Sequence, residues 1–447
     1  MMFKTYLREF PKNFSLAVPI MLGQLGHVLV GLVDNIMIGR LGAEPLAAVS
    51  LGNTLVFFAL FIGIGFSFAI TPLVAEADGE QNFTRGRRVF QNGVIMCSIN
   101  GILLFALIYF IKPVLYQLDQ PAEVVKIAFP YLNIVAFSLI PLMIFQGFKQ
   151  FADGLSLTKY AMYATLIANF TNIVLNYFLI YGKWIFPRLE VEGAAIATLS
   201  SRLIMLILIV FILKSRSQLK PYFSKLIQKI NTEIFKRLLS LGFPTALQML
   251  FEGGIFTASV ILAGTLGAKA QAANQIALNL ASMTFMVAVG LGVTATIRVA
   301  NQKGKKQFFD MKRIAHSIFL QILCIEIVFA LLFIVFKNVL PEFYIDDIEV
   351  IRIAASLLVV AALFQISDGL QAGILGALRG LQDVKIPTFI CFVSYWLIGF
   401  PISYYFGKQE QLGSDGIWLG LLAGLSASAL LLYIRFYKVS HRYLKKY

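Results

Sequence analysis

Four acidic residues lie inside long apolar runs, where a carboxylate is out of place unless it has a partner or a task. They are Asp34, Glu252, Glu326 and Asp368. A charge at the centre of a bilayer costs at least about 2.5–3.5 kcal/mol on insertion scales, so such residues face the protein interior or water. A carboxylate there can hold a metal cation, a proton or the charge of an organic cation. We interpret Asp34, Glu252 and Asp368 as functional, and Glu326 as a protonated or helix-packing residue.

Uncharged polar side chains form a stripe in a second apolar run. Asn169, Asn172 and Asn176 recur at i, i+3 and i+7, which places them on one helical face. Such a stripe serves either a polar site or hydrogen bonding between helices. His27 shares a face with Asp34, seven residues later, and is a secondary candidate for the same site.

Amides also accompany the acids of the second half. Gln365 and Gln371 flank Asp368 at three residues on either side and give its helix a polar face. Gln275 and Asn279 form a further polar i, i+4 pair, and all four amides are secondary candidates. Arg202 is a cation at membrane depth that either pairs with an acid or extends to the interface.

The elements that position these residues are membrane-spanning helices. The chain has 447 residues, of which 58% are hydrophobic and only 14% are charged. Ordinary soluble proteins carry about 25% charged residues. Runs of apolar residues long enough to cross a bilayer recur throughout. We predict an all-α polytopic membrane protein with spans at 14–38, 47–73, 91–111, 127–148, 161–181, 193–213, 243–263, 273–297, 314–337, 350–372, 387–407 and 416–437.

The net charge of +15 reports topology. Lys and Arg are concentrated in alternate loops and at both termini, and the opposite loops are acidic. The positive-inside rule therefore places both termini in the cytoplasm. We expect a multi-pass protein of the inner membrane. The basic excess fits anionic lipid headgroups, and no nucleic-acid partner is expected.

The two halves of the chain repeat each other. At an offset of 225 residues, Pro19 falls on Pro244, Gly39 on Gly264, and His27 on Glu252. Because six spans are an even number, the halves are parallel repeats, two six-helix bundles related by a pseudo-twofold axis along the membrane normal. The expected lobes are 1–213 and 243–447, joined by a basic cytoplasmic linker over 214–242.

No phosphate-binding loop, HExxH sequence, nucleophile elbow or CxxC pair occurs in the sequence. We therefore expect neither an enzyme nor a bound cofactor. Transport, if that is the function, must draw on an ion gradient.

Three segments carry a family resemblance: GLVDNIMIGRLGAEPLAAVS, FQISDGLQAGILGALRG and NIVLNYFLIYGKWIFPRLEVEGAAIAT. Over essentially its whole length the chain resembles the NorM branch of the multidrug and toxic compound extrusion (MATE) family. The resemblance implies antiport of Na+ or H+ against organic, often cationic, compounds. We expect export by alternating access and a protein that is a monomer. By motif, the N-lobe ion site falls on Asp34, Asn172, Asn176 and Thr198, and the C-lobe site on Glu252 and Asp368.

The resemblance leaves choices open. Na+ is expected either at Asp34 with Asn172 and Asn176, or at Glu252 with Asp368. Phe364, one turn before Asp368, stands where some relatives have a tyrosine. A lipid or polysaccharide-precursor flippase of the wider superfamily is the alternative function, and it predicts a cationic groove where this sequence places acids. A membrane enzyme or receptor is disfavoured by the internal duplication.

Overall fold

The protein is helical throughout the part of the chain that the structure describes. This structure is a computed structural model that describes residues 2–117, 121–223, 230–409 and 412–446. Within a bilayer, backbone polar groups have no water to bond, so apolar runs satisfy them inside a helix. Among the described residues, twelve helical segments are long and apolar enough to cross a membrane. The predicted all-α polytopic fold is therefore confirmed.

Seventeen α-helices form within these ranges. In the first half they are α1 Met2–Leu7, α2 Phe10–Gly39, α3 Ala43–Ser67, α4 Ile70–Gly79, α5 Phe83–Ile111, α6 Ala122–Phe137, α7 Leu139–Gly154, α8 Thr158–Tyr181, α9 Glu190–Ser215 and α10 Lys220–Phe223. In the second half they are α11 Thr232–Gly264, α12 Ala268–Gly304, α13 Phe308–Val335, α14 Ile348–Gly380, α15 Lys385–Phe392, α16 Phe400–Tyr404 and α17 Gly413–Lys446.

Prolines interrupt two crossings of the first half. Pro72 lies in the first turn of α4 and Pro141 in the first turn of α7. Proline has no N–H to donate to the carbonyl four residues earlier, so each crossing splits into two helices at that point. In the second half, Ile297 and Ile366 stand at the corresponding positions, and α12 and α14 run without a break.

The turns between helices repeat with the helices. Gly42 and Gly267, which precede α3 and α12, have φ values of 134° and 114°. Gln81 and Lys306, shortly before α5 and α13, have φ values of 56° and 59°. These backbone conformations are uncommon and suit glycine best, so their recurrence at one offset is not a property of apolar sequence in general. The internal duplication is confirmed at the level of backbone geometry.

The chain forms two compact units. The N-terminal unit is Leu22–Ala246, and the C-terminal unit is Met1–Met21 together with Leu247–Tyr447. In the N-terminal unit, the Phe90 ring stacks on Phe151 with ring centroids 4.1 Å apart. In the C-terminal unit, α12, α13, α14 and α17 enclose a core in which Phe364 packs against Trp418.

The first 21 residues differ from the expected division, which assigned them to a lobe ending at residue 213. They belong to the C-terminal unit because their polar contacts are on α12 and α13. Asn13 Nδ2 donates to Gln321 Oε1 at 3.0 Å and to Ser317 Oγ at 3.3 Å. Ser317 Oγ in turn donates to the carbonyl of Tyr6 at 2.8 Å.

The expected linker over 214–242 also differs. Its last part is the beginning of α11, which continues through the membrane to Gly264. The N–H of Asn231 donates to Asn92 Oδ1 at 3.1 Å, so this end is held by the N-terminal unit. Residues 224–229 of the expected linker lie outside the described residues.

Candidate functional site

In the N-terminal unit, the structure brings Asp34 of α2 together with two asparagines of α8. Asn176 Nδ2 donates to Asp34 Oδ1 at 2.5 Å and to Asn172 Oδ1 at 3.1 Å. Both asparagines are buried, and Asp34 is half-buried. Oδ1 of Asn176 is buried with no hydrogen-bond partner. The cluster therefore offers a carboxylate and a free amide oxygen, which are ligands that a hard cation or a proton carrier uses.

Three other predicted residues of this unit stand apart from the cluster. Asn169 lies against Gly26, where a Cβ would come within 2.8 Å of its Nδ2. Thr198 is half-buried on α9, and its carbonyl accepts from Ser201 Oγ at 2.9 Å. His27 is exposed. The hydrogen bonds of the described residues link Asp34 with Asn176 and Asn172, but not with Thr198, Asn169 or His27.

A cation lies near this cluster. Arg202 of α9 donates from Nη1 to Ser138 Oγ at 2.6 Å, at the break between α6 and α7. Its charge interacts with that of Asp34, although the two do not form an ion pair within the described contacts. The hydroxyl of Tyr131, also near Asp34, donates to Asn53 Oδ1 at 2.8 Å. Sequence reasoning left Arg202 undecided and missed Ser138, because its partners come from distant helices.

In the C-terminal unit, Asp368 is the centre of a buried polar cluster on α14. It is 4% exposed, and its Oδ1 has no hydrogen-bond partner. One turn earlier, Gln365 accepts from Thr284 of α12 at 2.8 Å. One turn later, Gln371 Nε2 donates to the hydroxyl of Tyr395, and its Oε1 is free of partners. Both flanking amides thus lie buried beside the acid, as the polar face of the helix predicts.

A π-helical segment contacts α11 on either side of Glu252. Residues Val393–Gly399 form a π-helix between α15 and α16, and such segments are frequent at functional sites. Trp396 of this segment donates to the Phe251 carbonyl at 3.3 Å, and its ring covers Gly254. The charge of Glu252 interacts with Asp368 and with Arg379. Neither Trp396 nor Tyr395 carries a sequence signal that would have identified it.

Phe364 is a packing residue. It is 1% exposed, and its ring contacts those of Phe256 and Trp418. A phenol oxygen is nevertheless present in the cluster, because the Tyr395 hydroxyl accepts from Gln371, one turn after Asp368.

The last two predicted amides pair with each other on α12. Gln275 Nε2 donates to Asn279 Oδ1 at 3.1 Å, and Gln275 is exposed. Among the described residues, no hydrogen bond joins this pair to Asp368 or Glu252.

The acids alone do not make a metal site. Within the described ranges, no group of three or more His, Cys, Asp or Glu side chains is arranged to hold a metal ion. A cation bound at either cluster would therefore need amide, hydroxyl or backbone oxygens beside the carboxylates, and free amide oxygens are present in both.

These features define a duplicated, multi-pass helical membrane protein with one buried acidic cluster in each unit. The MatE family model matches the chain twice, over residues 19–178 and 244–405. The chain therefore belongs to the MATE family, and the two matches fall on the two repeats.

The chain is similar in sequence to several multidrug resistance proteins. The chain is 33% identical to the probable multidrug resistance protein NorM of Rhizobium meliloti, covering 97% of this chain and 94% of that one. It is 32% identical to the multidrug resistance protein MdtK of Yersinia pseudotuberculosis, covering 96% and 95%. The fold matches the crystal structure of a mutant of the Vibrio cholerae MATE transporter VcmN with a TM-score of 0.90, at 17% identity over 97% and 98% of the two chains.

Proposed function

We propose that this protein exports organic cations from the cytoplasm in exchange for Na+ or H+, by alternating access. The observation that carries the proposal is the hydrogen-bonded cluster of Asp34, Asn176 and Asn172 inside membrane-spanning helices. An ionised acid within the membrane is energetically unfavourable, so its presence indicates a functional site. The amides beside it supply oxygen ligands for a partly dehydrated cation.

The second cluster supports the same function. Glu252 and Asp368 share the C-terminal unit and interact electrostatically. A carboxylate can hold a metal cation, a proton or an organic cation, but rarely two of them together. Competition of this kind gives each ligand a differential affinity for the states of a transporter, which exchange requires.

The names of the relatives support the substrate class. Multidrug resistance proteins such as NorM of Photobacterium profundum, 30% identical to this chain, are named for resistance to several drugs. Acidic clusters in both units favour organic compounds that carry positive charge. The charge distribution of the loops supports an orientation with both termini in the cytoplasm. The proposal takes the protein to be an inner-membrane protein that acts as a monomer.

Transport by reconstituted protein tests the proposal. Proteoliposomes with an imposed Na+ or proton gradient should accumulate ethidium, a fluorescent organic cation. Asp34→Asn should lower the gradient-driven rate about tenfold or more, since a lost charge interaction of about 1.4 kcal/mol corresponds to one order of magnitude. Glu44→Gln is the matched control, because Glu44 is an exposed acid of the same unit. Wild-type rates in Asp34→Asn would refute the assignment.

The flippase alternative is tested in the same vesicles. A flippase for anionic lipids requires accessible cations, whereas Arg202 and Arg379 here interact with Asp34 and Glu252. Translocation of a fluorescent anionic lipid without any ethidium transport would favour the flippase.

A further inference from the structure

Glu326 is a buried acid that has no role in the proposed function described above. It lies on α13 and is 1% exposed, and both of its carboxyl oxygens are buried without a hydrogen-bond partner. An ionised carboxylate in such surroundings is strongly unfavourable, whereas a protonated carboxyl is tolerated. We therefore take the resting form of Glu326 to be the neutral carboxylic acid.

A glycine lets this carboxyl approach the Asp368 helix. A Cβ on Gly369 would lie 2.9 Å from Glu326 Oε1 and 2.8 Å from its Cγ. Since Gly369 directly follows Asp368, the close approach places the two acids on the same contact between α13 and α14. If both were ionised, their charges would repel each other, and the charge of Asp368 also interacts with that of Glu252.

Among the described residues, no cation acts on Glu326. Helices α1, α12, α14 and α17 pack against α13, and α2 contacts it through Asn13. On α14 the charged group that faces Glu326 is Asp368; among the described residues of α1, α2, α12 and α17, no charged group acts on it. The charge of Arg379, which lies on the same helix as Asp368, interacts with Glu252. The protonation state of Glu326 therefore depends on whether a cation or a proton is bound at Asp368 and Glu252.

We infer that Glu326 is a proton-binding residue of the transport cycle, which releases its proton as a cation binds at Asp368 and Glu252 and regains it as the cation leaves. This role rests on the proposed function. When a monovalent cation neutralises one acid, the Glu326 O–H bond can break and its proton passes to water, so the net charge of the site is unchanged. Like charges in close proximity oppose joint ionisation, which links the two events.

Proton linkage of ethidium binding to purified protein tests the role. The slope of the logarithm of affinity against pH reports the protons released on binding. We expect Glu326→Gln to reduce that slope by up to about one proton, because glutamine cannot titrate. Glu326→Asp, which keeps a titratable group, should restore part of it. The exposed Glu342 provides the matched control, Glu342→Gln, which should keep the wild-type slope.

Infrared difference spectroscopy provides a second measurement on the wild-type protein. Ethidium binding should remove a protonated-carboxyl C=O band, and Glu326→Gln should lack that change. An unchanged slope in Glu326→Gln, or a wild-type spectrum without a carboxyl change, would overturn the role. If wild-type protein neither binds nor transports ethidium, the proposed function itself fails; if it does both while Glu326→Gln behaves as wild type, only the role of Glu326 fails.

Discussion

Arg298 Nη2 lies 2.7 Å from Glu9 Oε2, and this ion pair holds the beginning of α2 against α12. Both side chains are largely buried, at 13% and 10% exposure. Burial raises the pKa of Glu9, but the hydrogen bond and charge of Arg298 outweigh it, with help from Arg313 and Lys12, so that the pKa lies below its ordinary value of 4.5. The pair therefore stabilises the ionised form of Glu9.

Glu9→Gln should lower the stability of the protein at pH 7. Breaking a buried ion pair costs about 3–5 kcal/mol, and we expect about 3 because Asn13 still accepts from Arg298. A lowered pKa contributes stability that is present above 4.5 and is lost as the pH falls through the lower folded value. Melting temperatures in detergent should thus differ most at neutral pH and converge in acid. A difference that is constant from neutral to acid pH would contradict this.

Asn176→Ala should weaken the binding of the coupling ion more than the binding of the substrate. It removes the hydrogen bond to Asp34, and a hydrogen bond to a charged group contributes about 1.5–3 kcal/mol. The Na+ or H+ concentration for half-maximal transport should change by about tenfold or more. Asn169→Ala is the matched control on the same helix, since Asn169 does not bond Asp34. Equal effects of the two substitutions would argue for a packing role of the whole stripe.

The losses of transport caused by Glu252→Gln and Asp368→Asn should not be additive. Because the two acids interact within one cluster, the double variant should lose little more transport than the worse single variant. Rates of ethidium transport measure the coupling. Losses that multiply would show that the two acids serve separate sites.

Trp396→Phe should alter ion dependence without unfolding the protein. Phenylalanine keeps an aromatic ring against Gly254 but lacks the N–H that donates to the Phe251 carbonyl, next to Glu252. We expect the half-saturating ion concentration to rise several-fold while the melting temperature stays within a few degrees. Trp184→Phe, at an 87% exposed tryptophan, is the control. A fall in melting temperature with unchanged ion dependence would reduce Trp396 to a packing residue.

Arg202→Gln should strengthen cation binding in the N-terminal unit. The positive charge of Arg202 interacts with Asp34 and therefore competes with any bound cation. Its removal should lower the half-saturating ion concentration several-fold, and Arg202→Lys, which keeps the charge, should remain near wild type. A half-saturating ion concentration that rises in Arg202→Gln would show that Arg202 acts through its hydrogen bond to Ser138 alone.

The membrane-spanning helices and the internal duplication could be predicted from the sequence because both depend on local sequence patterns. Hydropathy locates each apolar run, and Pro19 and Pro244 mark the same position in both repeats. The helical stripe places Asn172 and Asn176 on one face, and the family resemblance implies that they share a site with Asp34. The stripe alone did not exclude Asn169, because which residues of a face meet a neighbour depends on how that neighbour packs.

Features that depend on contacts between distant segments could not be predicted. The sequence around Glu326 has no polar neighbours, and only the approach of Gly369 relates it to Asp368. The π-helix that brings Tyr395 and Trp396 to the C-terminal cluster has no recognisable periodicity. The assignment of the first 21 residues rests on bonds to α12 and α13, far along the chain.

That assignment has a consequence for biosynthesis. The first crossing helix leaves the ribosome long before its partners exist, since Arg298 follows Asn13 by 285 residues. Until then Asn13 and Glu9 must remain hydrated at the membrane surface, and the C-terminal unit acquires its own amino-terminal piece only after α13 has been inserted. A gene cut between the two repeats would therefore yield two fragments, each carrying a helix start that belongs to the other.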